Sequence, residues 1–240
     1  MLRKIRLIAA TLCFVLITLL FLDFTGTLHG WFGWLAKIQF LPAVLALNVG
    51  VVLFLVLLTL AFGRVYCSVI CPLGVFQDVI ARIGRRGKKL PYSYSPALSW
   101  LRYGVLFVFV LALVAGVGSL VALLAPYSAY GRIANNLFQP LWMWGNNLFA
   151  YLAARVESYA FYEVDVWMKS LPTFLAALAT LVVLVVLAWR NGRTYCNTIC
   201  PVGTVLGFIS RYSLYRVTID TDKCNSGGFC ARRDPPGPPE

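Results

Sequence analysis

The sequence predicts an all-α integral membrane protein in which four transmembrane helices form two parallel repeats, with interfacial helices beside them. Its composition and its long uncharged runs indicate that the protein spans a membrane, and an internal duplication of the sequence indicates that the helices form two repeats. Of the 240 residues, 60% are hydrophobic and only 12% are charged, about half the charged fraction of a typical soluble domain. Mean hydropathy is +0.78, and the uncharged runs are long enough to cross the hydrocarbon core of a bilayer.

A cysteine-containing stretch occurs twice, at residues 63–74 and 192–203, and we call each copy a cysteine unit. The copies lie 129 positions apart, and segments 63–82 and 192–211 are identical at 10 of 20 positions. Both units read Gly-Arg-x-Tyr-Cys-x3-Cys-Pro-x-Gly, and both directly follow a long apolar run. The pattern predicts two parallel repeats of span, span and cysteine unit, related by an axis along the membrane normal.

The first predicted transmembrane helix lies in residues 7–22, which follow the basic flank Met1–Arg6. Secretory signal peptides also begin with a basic flank and an apolar run, but they end in a cleavage site of small residues. Residues 21–24 are bulky and acidic instead. We therefore expect a retained helix.

Three further apolar runs predict the remaining spans, at residues 40–62, 103–125 and 172–189. Between the last two, residues 126–171 mix aromatic side chains with Asn and Pro. This mixture predicts an interfacial or re-entrant pair of helices, with a fifth span at 137–154 as the alternative.

In each cysteine unit a proline follows the second cysteine, and it favours the start of a helix at that position. We expect both of these helices to be amphipathic and to lie on the membrane surface, the first through Phe76, Val79, Ile80 and Ile83. The chain then divides into an N-terminal helix and outer loop (1–39), a second span with the first cysteine unit and a basic loop (40–100), a third span with an aromatic outer region (101–171), a fourth span with the second cysteine unit (172–219), and a tail (220–240).

Basic residues are concentrated at one end of the predicted bundle. Residues 1–6, 63–102 and 190–240 hold 17 of the 21 Lys and Arg, and the positive-inside rule places such segments in the cytoplasm. A fifth span would remove this asymmetry, so four spans are preferred. The sequence therefore predicts a multi-pass protein of a bacterial-type inner membrane, with both termini and both cysteine units cytoplasmic. The net charge of +12 then reflects topology and not nucleic-acid binding.

Cys67, Cys71, Cys196 and Cys200 are the candidate metal ligands. Thiols in the cytoplasm are kept reduced, and the i, i+4 spacing predicts that the two thiols of a unit share one face of a helical turn. Four thiolates are the usual ligands of a [4Fe–4S] cluster and of structural zinc. Proline after the second cysteine favours the cluster. We expect one cluster between the two repeats, with zinc, or packing of small apolar side chains without metal, as alternatives.

The C-terminal tail holds a second, weaker candidate site. Cys224 and Cys230 match the first and third ligands of the ferredoxin run C-x2-C-x2-C-x3-C-P. Gly227 stands at the second ligand position and Asp234 at the fourth. We interpret residues 220–240 as a degenerate or truncated ferredoxin-like segment.

The two Tyr-Cys-x3-Cys-Pro-x-Gly units after apolar spans, with a ferredoxin-type run behind the second, resemble the NapH/NosR-like family of membrane-bound 4Fe-4S proteins. The resemblance covers the organisation of residues 40–235. It implies cytoplasmic iron–sulfur electron transfer coupled to the membrane, because the family includes quinol-linked subunits of nitrate respiration, nitrous-oxide reductase maturation proteins and a cytochrome-oxidase assembly factor. The chain departs from the family in its incomplete first ferredoxin run and in lacking a second one.

The sequence thus favours an electron-transfer subunit over a free-standing enzyme. Electrons would pass between a cluster on the four cysteines of the units, a quinone or redox partner subunit in the lipid bilayer, and a cytoplasmic electron donor. The alternative is an assembly or metal-handling membrane protein that holds a metal on four cysteines without redox turnover of its own.

Overall fold

The computed structural model describes residues 2–23, 26–84, 98–155, 162–166 and 170–215. It confirms the all-α prediction, since none of these residues lies in a strand. The helices are α1 Leu2–Leu22, α2 Thr27–Phe32, α3 Trp34–Lys37, α4 Phe40–Leu45, α5 Val49–Phe62, α6 Pro72–Gly84, α7 Ser99–Val114, α8 Gly118–Leu124, α9 Pro126–Ile133, α10 Gln139–Ala154, α11 Leu171–Asn191, α12 Thr194–Thr198 and α13 Pro201–Ile209. Two π-helical segments, Tyr66–Ile70 and Ala134–Phe138, and a 3-10 turn at Ser210–Tyr212 join them.

Two helices of the described chain are long and apolar enough to cross a membrane, Lys4–Leu22 in α1 and Leu171–Arg190 in α11. Most of their residues are not buried inside the protein, as suits helices that face lipid. Helices α5 and α7 are apolar but have 14 and 16 residues. At 1.5 Å per residue they are about 21 and 24 Å long, shorter than a hydrocarbon core of about 30 Å.

The predicted second span, 40–62, is two helices and not one. Leu47 adopts a left-handed conformation with φ 52°, and the N–H of Asn48 donates to the Ala43 carbonyl at 2.9 Å, which closes α4. Helix α5 then begins because the Asn48 side chain accepts a hydrogen bond from the Val51 N–H at 3.4 Å. The prediction of an uninterrupted span was wrong here, because hydropathy does not report backbone conformation.

The predicted third span, 103–125, is interrupted in the same way. Gly116 has φ 72°, and the N–H of Val117 donates to the Ala112 carbonyl at 2.9 Å. Helix α7 therefore ends before Gly116, and α8 begins after the turn. Glycine is the residue that most readily adopts this conformation.

Residues 126–154 form one continuous helical run and not the predicted pair of helices. Helix α9, the second π-helical segment and α10 follow each other directly, and the junction residues Ala134 and Gln139 both have α-helical φ and ψ. The π-helical segment ends at Phe138, two residues before Pro140. Because proline has no N–H to bond the carbonyl four residues earlier, a local widening of the helix suits this position.

Helix α6 packs inside the bundle and does not lie on its surface as predicted. Phe76 stacks on Phe14 of α1 with ring centroids 6.4 Å apart, and it meets Tyr130 of α9 at 6.0 Å. Val79 and Ile83 are exposed. The buried face of α6 is thus used for packing against α1, α9 and α11.

The helix that follows each cysteine unit, α6 or α13, packs against a helix of the other repeat. Helix α6 packs against α11 of the other repeat, where Gly84 lies against the Trp189 ring. Helix α13 packs against α5, and beyond α13 the Leu214 N–H donates to the Leu60 carbonyl at 2.8 Å. Trp189 and Leu60 are 129 positions apart, so the two contacts are equivalent. This reciprocal packing supports the predicted internal repeat.

The substitution Leu47→Gly is expected to stabilise the protein. A left-handed conformation costs an L-residue about 1 kcal/mol, whereas glycine adopts it freely. In an uninterrupted helix the same change would instead destabilise by about 1 kcal/mol. Thermal unfolding in detergent distinguishes the two cases, with Leu45→Gly inside α4 as the control. We expect a higher midpoint for Leu47→Gly and a lower one for Leu45→Gly; a lower midpoint for both would contradict the break.

Candidate metal centre

Each cysteine unit begins at a glycine that ends the preceding helix. Gly63 has φ 71° and ψ −144°, and Gly192 has φ 76° and ψ −117°. Their N–H groups donate to the carbonyls of Thr59 at 2.8 Å and Ala188 at 3.1 Å. The two units therefore leave α5 and α11 with the same backbone conformation, one that disfavours other L-residues.

The two cysteines of a unit have different backbone roles. Cys67 lies in the first π-helical segment and Cys196 in α12. The second cysteines, Cys71 and Cys200, are extended, with ψ 115° and 117°, because the residue before a proline is driven out of the helical region. The break in each unit therefore follows the second cysteine, whose N–H still donates to the tyrosine before the first cysteine: Cys71 to the Tyr66 carbonyl at 2.9 Å and Cys200 to the Tyr195 carbonyl at 3.0 Å.

The second cysteine of each unit is also the N-cap of the next helix. The Gly203 N–H donates to the Cys200 sulfur at 3.3 Å, and the N–H groups of Leu73 and Gly74 bond to Cys71 and lower its pKa. Free N–H groups and the positive end of the helix dipole both favour negative charge on sulfur. The break therefore aims a helix N-terminus at one thiol of each pair.

The glycine two residues after each proline is required by close packing. A Cβ atom on Gly74 would overlap the carbonyl oxygen of Cys67, and one on Gly203 would overlap the carbonyl oxygen of Cys196. Because the obstacle is backbone, a side chain cannot move it aside cheaply. These glycines hold the two cysteines of each unit close together.

The four thiols meet in one buried region. All four cysteines are free and buried. Burial is the main cause that raises the pKa of Cys196, and the thiols of Cys200, Cys71 and Cys67 raise it further. Burial likewise raises the pKa of Cys200, followed by the effect of Cys71. The thiols of each unit are thus near enough to those of the other to raise their pKa values, as expected if the two units share a site.

Two arginines place positive charge beside the thiols and link the repeats. Arg64 and Arg193 each oppose the rise in pKa that burial causes at Cys67. Arg193 forms a two-point ion pair with Asp78 of α6, with Nε 2.6 Å from Oδ1. Arg64 donates to the Asn197 side-chain oxygen at 2.9 Å. Each arginine therefore bonds to the opposite repeat.

Three of the supporting residues were missed by sequence reasoning. Asp78 is the only acidic residue between Asp23 and Glu157, a pattern that could have drawn attention to it. The fully buried Gln39 accepts a hydrogen bond from the Tyr66 hydroxyl at 3.0 Å, and that hydroxyl accepts from the Phe40 N–H at 3.0 Å. Gln39 lies in a segment without any motif, and Asn197 stands at a variable position of the second cysteine unit, where the first unit has Ser68, so neither residue was marked by a pattern.

Four thiolates are the ligand set of both a [4Fe–4S] cluster and structural zinc. Among the residues that the structure describes, no three His, Cys, Asp or Glu side chains lie close enough together to hold one metal ion. The geometry of the thiols therefore does not distinguish a cluster from zinc. Cys224 and Cys230 lie outside the described residues.

Comparison with known protein families supports an iron–sulfur site. The family model described as "4Fe-4S binding domain" matches residues 44–91 and 173–218. Each matched segment contains one cysteine unit and the helix that follows it. The chain therefore contains a 4Fe-4S binding domain in two segments, and the zinc alternative gains no support.

Two known proteins are similar to most of the chain. "Putative electron transport protein YccM" of Escherichia coli (strain K12) is 23% identical over 203 residues, 81% of this chain and 48% of YccM. "Uncharacterized protein MJ0749" of Methanocaldococcus jannaschii is 22% identical over 237 residues, 96% of this chain and 73% of that protein. The chain thus spans about half the length of YccM. No solved structure matches it. The match to the 4Fe-4S binding domain supports an iron–sulfur site, and the narrower NapH/NosR-like family is not confirmed.

Gly74→Ala and Gly203→Ala are each expected to lower the free energy of unfolding by at least about 1 kcal/mol, because the new Cβ must displace a backbone carbonyl. Gly104→Ala in α7 is the matched control, since a Cβ there has open space, and replacing glycine in a helix normally stabilises. Unfolding midpoints measured in one detergent check this. Equal midpoints for the three variants would contradict the close approach.

The metal-free protein is expected to lose stability in alkaline solution. Burial raises the pKa of Cys71 from an ordinary 9.0 to about 12, so folding favours the protonated thiol. This contribution is fully present below pH 9 and is lost as the pH rises towards 12, at about 1.4 kcal/mol per pH unit at most. Unfolding of metal-free protein between pH 8 and 11 measures the slope. Cys71→Ser should reduce the slope by the share of one thiol, because the other three buried thiols remain; an unchanged slope would contradict the burial of Cys71.

Proposed function

We propose that this protein is a membrane-bound electron-transfer protein that holds one [4Fe–4S] cluster on Cys67, Cys71, Cys196 and Cys200. The observation that carries the proposal is the contact between the two cysteine units, in which Arg64 of one donates to the Asn197 side chain of the other at 2.9 Å and all four cysteines are buried. Both units also lie in segments that match the 4Fe-4S binding domain.

The residues around the thiols suit a cluster that carries net negative charge. Helix N-termini face the sulfurs of Cys71 and Cys200, and N–H groups there stabilise negative sulfur. Arg64 and Arg193 add two positive charges from opposite sides. Burial of the four cysteines keeps water from the site. When bound, the cluster supplies a one-electron carrier whose potential depends on these hydrogen bonds and charges.

We further propose that the chain crosses a cell membrane four times, with the cluster at the cytoplasmic face. Helices α1 and α11 would make two crossings, and the broken pairs α4–α5 and α7–α8 the other two. Irregular backbone is tolerated at membrane depth where its polar groups are satisfied within the protein. At each break one N–H of the turn is satisfied, since Asn48 donates to the Ala43 carbonyl and Val117 donates to the Ala112 carbonyl. The concentration of basic residues at the cysteine end sets the orientation.

The proposed electron path joins a redox partner in the bilayer, either a quinone or a partner subunit, to a cytoplasmic electron donor. The name of YccM describes that protein as an electron transport protein, which supports this assignment. The cluster would lie between the two repeats, so both halves of the chain would be needed for one carrier. The protein itself would then be an electron-transfer subunit of a larger assembly.

Cys67→Ser and Cys196→Ser are each expected to remove the whole cluster, because each unit supplies two of its four ligands. The wild-type protein, purified without oxygen, should contain about four iron and four acid-labile sulfide per chain. Its visible absorbance should bleach with dithionite. Cys13→Ser is the matched control, because Cys13 lies within α1, outside both cysteine units, and its iron content should not change.

Two results would contradict the proposal. Loss of half the iron in each single variant would indicate two independent clusters. A colourless wild-type protein with one zinc per chain would exclude iron–sulfur electron transfer.

A further inference from the structure

The two repeats differ in what faces the arginine of each cysteine unit. Arg64 and Arg193 stand at equivalent positions, 129 residues apart. Arg193 pairs with the carboxylate of Asp78 on α6. The position equivalent to Asp78 in the second repeat is occupied by Gly207 on α13. The first repeat thus supplies the carboxylate that neutralises Arg193 of the second repeat, whereas the second repeat has no equivalent carboxylate for Arg64 of the first.

A second arginine occupies the same place. A Cβ atom built on Gly207 would lie 2.5 Å from Nη2 of Arg64 and 2.5 Å from Nη2 of Arg102. The two guanidinium groups therefore meet directly over the glycine. Arg102 comes from the first turn of α7, so the pair joins three elements: the first cysteine unit, α7 and α13.

Within the described part of the chain, the hydrogen-bond partners of this pair carry no charge. Arg64 donates to the Asn197 amide oxygen at 2.9 Å. Arg102 donates to the Thr204 hydroxyl at 3.4 Å and to the Thr204 carbonyl at 3.2 Å. Burial lowers the pKa of Arg64, and the charge of Arg102 lowers it further. Asp78, which Arg193 already binds, is the only acidic residue described between 26 and 155.

Two half-buried guanidinium groups side by side repel each other unless an anion lies between them. Their planar N–H groups match the oxygens of a phosphate or carboxylate. We propose that Arg64 and Arg102, meeting over Gly207, form a binding site for a phosphate group at the position equivalent to the Asp78 carboxylate.

Exposed aromatic side chains beside the site favour the phosphate of a lipid headgroup as its source. Trp100 is 90% exposed two residues before Arg102, and Phe208 is 56% exposed next to Gly207. Aromatic residues of this kind are enriched at the headgroup layer of membranes. Basic side chains at the same level bind anionic headgroups. Free inorganic phosphate presents the same oxygens and is the other source.

The test compares the full-length protein with Gly207→Asp, which supplies the missing carboxylate, and with Arg102→Gln, which removes one guanidinium. Arg82→Gln is the matched control, because Arg82 is an exposed arginine of α6 and its replacement removes the same charge. Isothermal titration with inorganic phosphate, in a neutral detergent, measures the affinity. Native mass spectrometry after reconstitution in phosphatidylglycerol or phosphatidylcholine bilayers measures retained lipid. Size-exclusion profiles show which variants are folded, and Arg102→Gln decides the outcome if Gly207→Asp is not.

We expect wild type and Arg82→Gln to bind inorganic phosphate, to retain phosphatidylglycerol in preference to phosphatidylcholine, or both. Gly207→Asp and Arg102→Gln should weaken that binding at least tenfold. A response to lipid identifies a headgroup as the source, and a response to inorganic phosphate alone identifies the free anion. Equal binding by all four proteins, or no binding by wild type, would overturn the proposal. Capture of a polyglutamate peptide that depends on Arg102, without phosphate binding, would overturn it in favour of the carboxylates of a protein partner.

Discussion

The rest of the structure depends on the Cys–Pro step within each cysteine unit, which is Cys71-Pro72 in the first repeat and Cys200-Pro201 in the second. Proline forces Cys71 and Cys200 into extended backbone and starts a new helix directly after them. The same step therefore ends one helix, places a sulfur at the N-terminus of the next and sends that helix across to the other repeat. Without it the second thiol would remain on a continuous helix, away from free N–H groups.

Bringing four thiols together has an electrostatic cost, and the surrounding residues offset it. Each thiolate raises the free energy of the others in a buried region, so positive charge has to be close by. Helix N-termini provide that charge, together with Arg64 and Arg193 at the start of the two cysteine units. The arginines also bond across the repeats, so the contacts that stabilise negative sulfur are the contacts that hold the halves together. The repeats differ where Asp78 is replaced by Gly207, and only that side offers two guanidinium groups to an outside anion.

Sequence reasoning predicted the helical class, the internal repeat and the helix starts at the prolines, because all of these follow from residue type and spacing. It did not predict the breaks at Leu47 and Gly116. Both lie within uniformly apolar runs, and the hydropathy of a run does not report whether one of its residues has a left-handed backbone conformation. The continuous run 126–154 was missed because Asn and Pro were taken as interruptions, whereas a π-helical segment accommodates Pro140. The bonds of Asp78 and Gln39 join residues distant in sequence, so only the fold reveals them.

The central claim is that the two cysteine units share one cluster. Spin integration of the EPR signal from the fully reduced, full-length protein, against protein concentration, tests it most directly. We expect one S = 1/2 spin per chain, without the line splitting that a second nearby paramagnet would cause. Two spins per chain, or a signal split by coupling between two centres, would contradict a shared cluster.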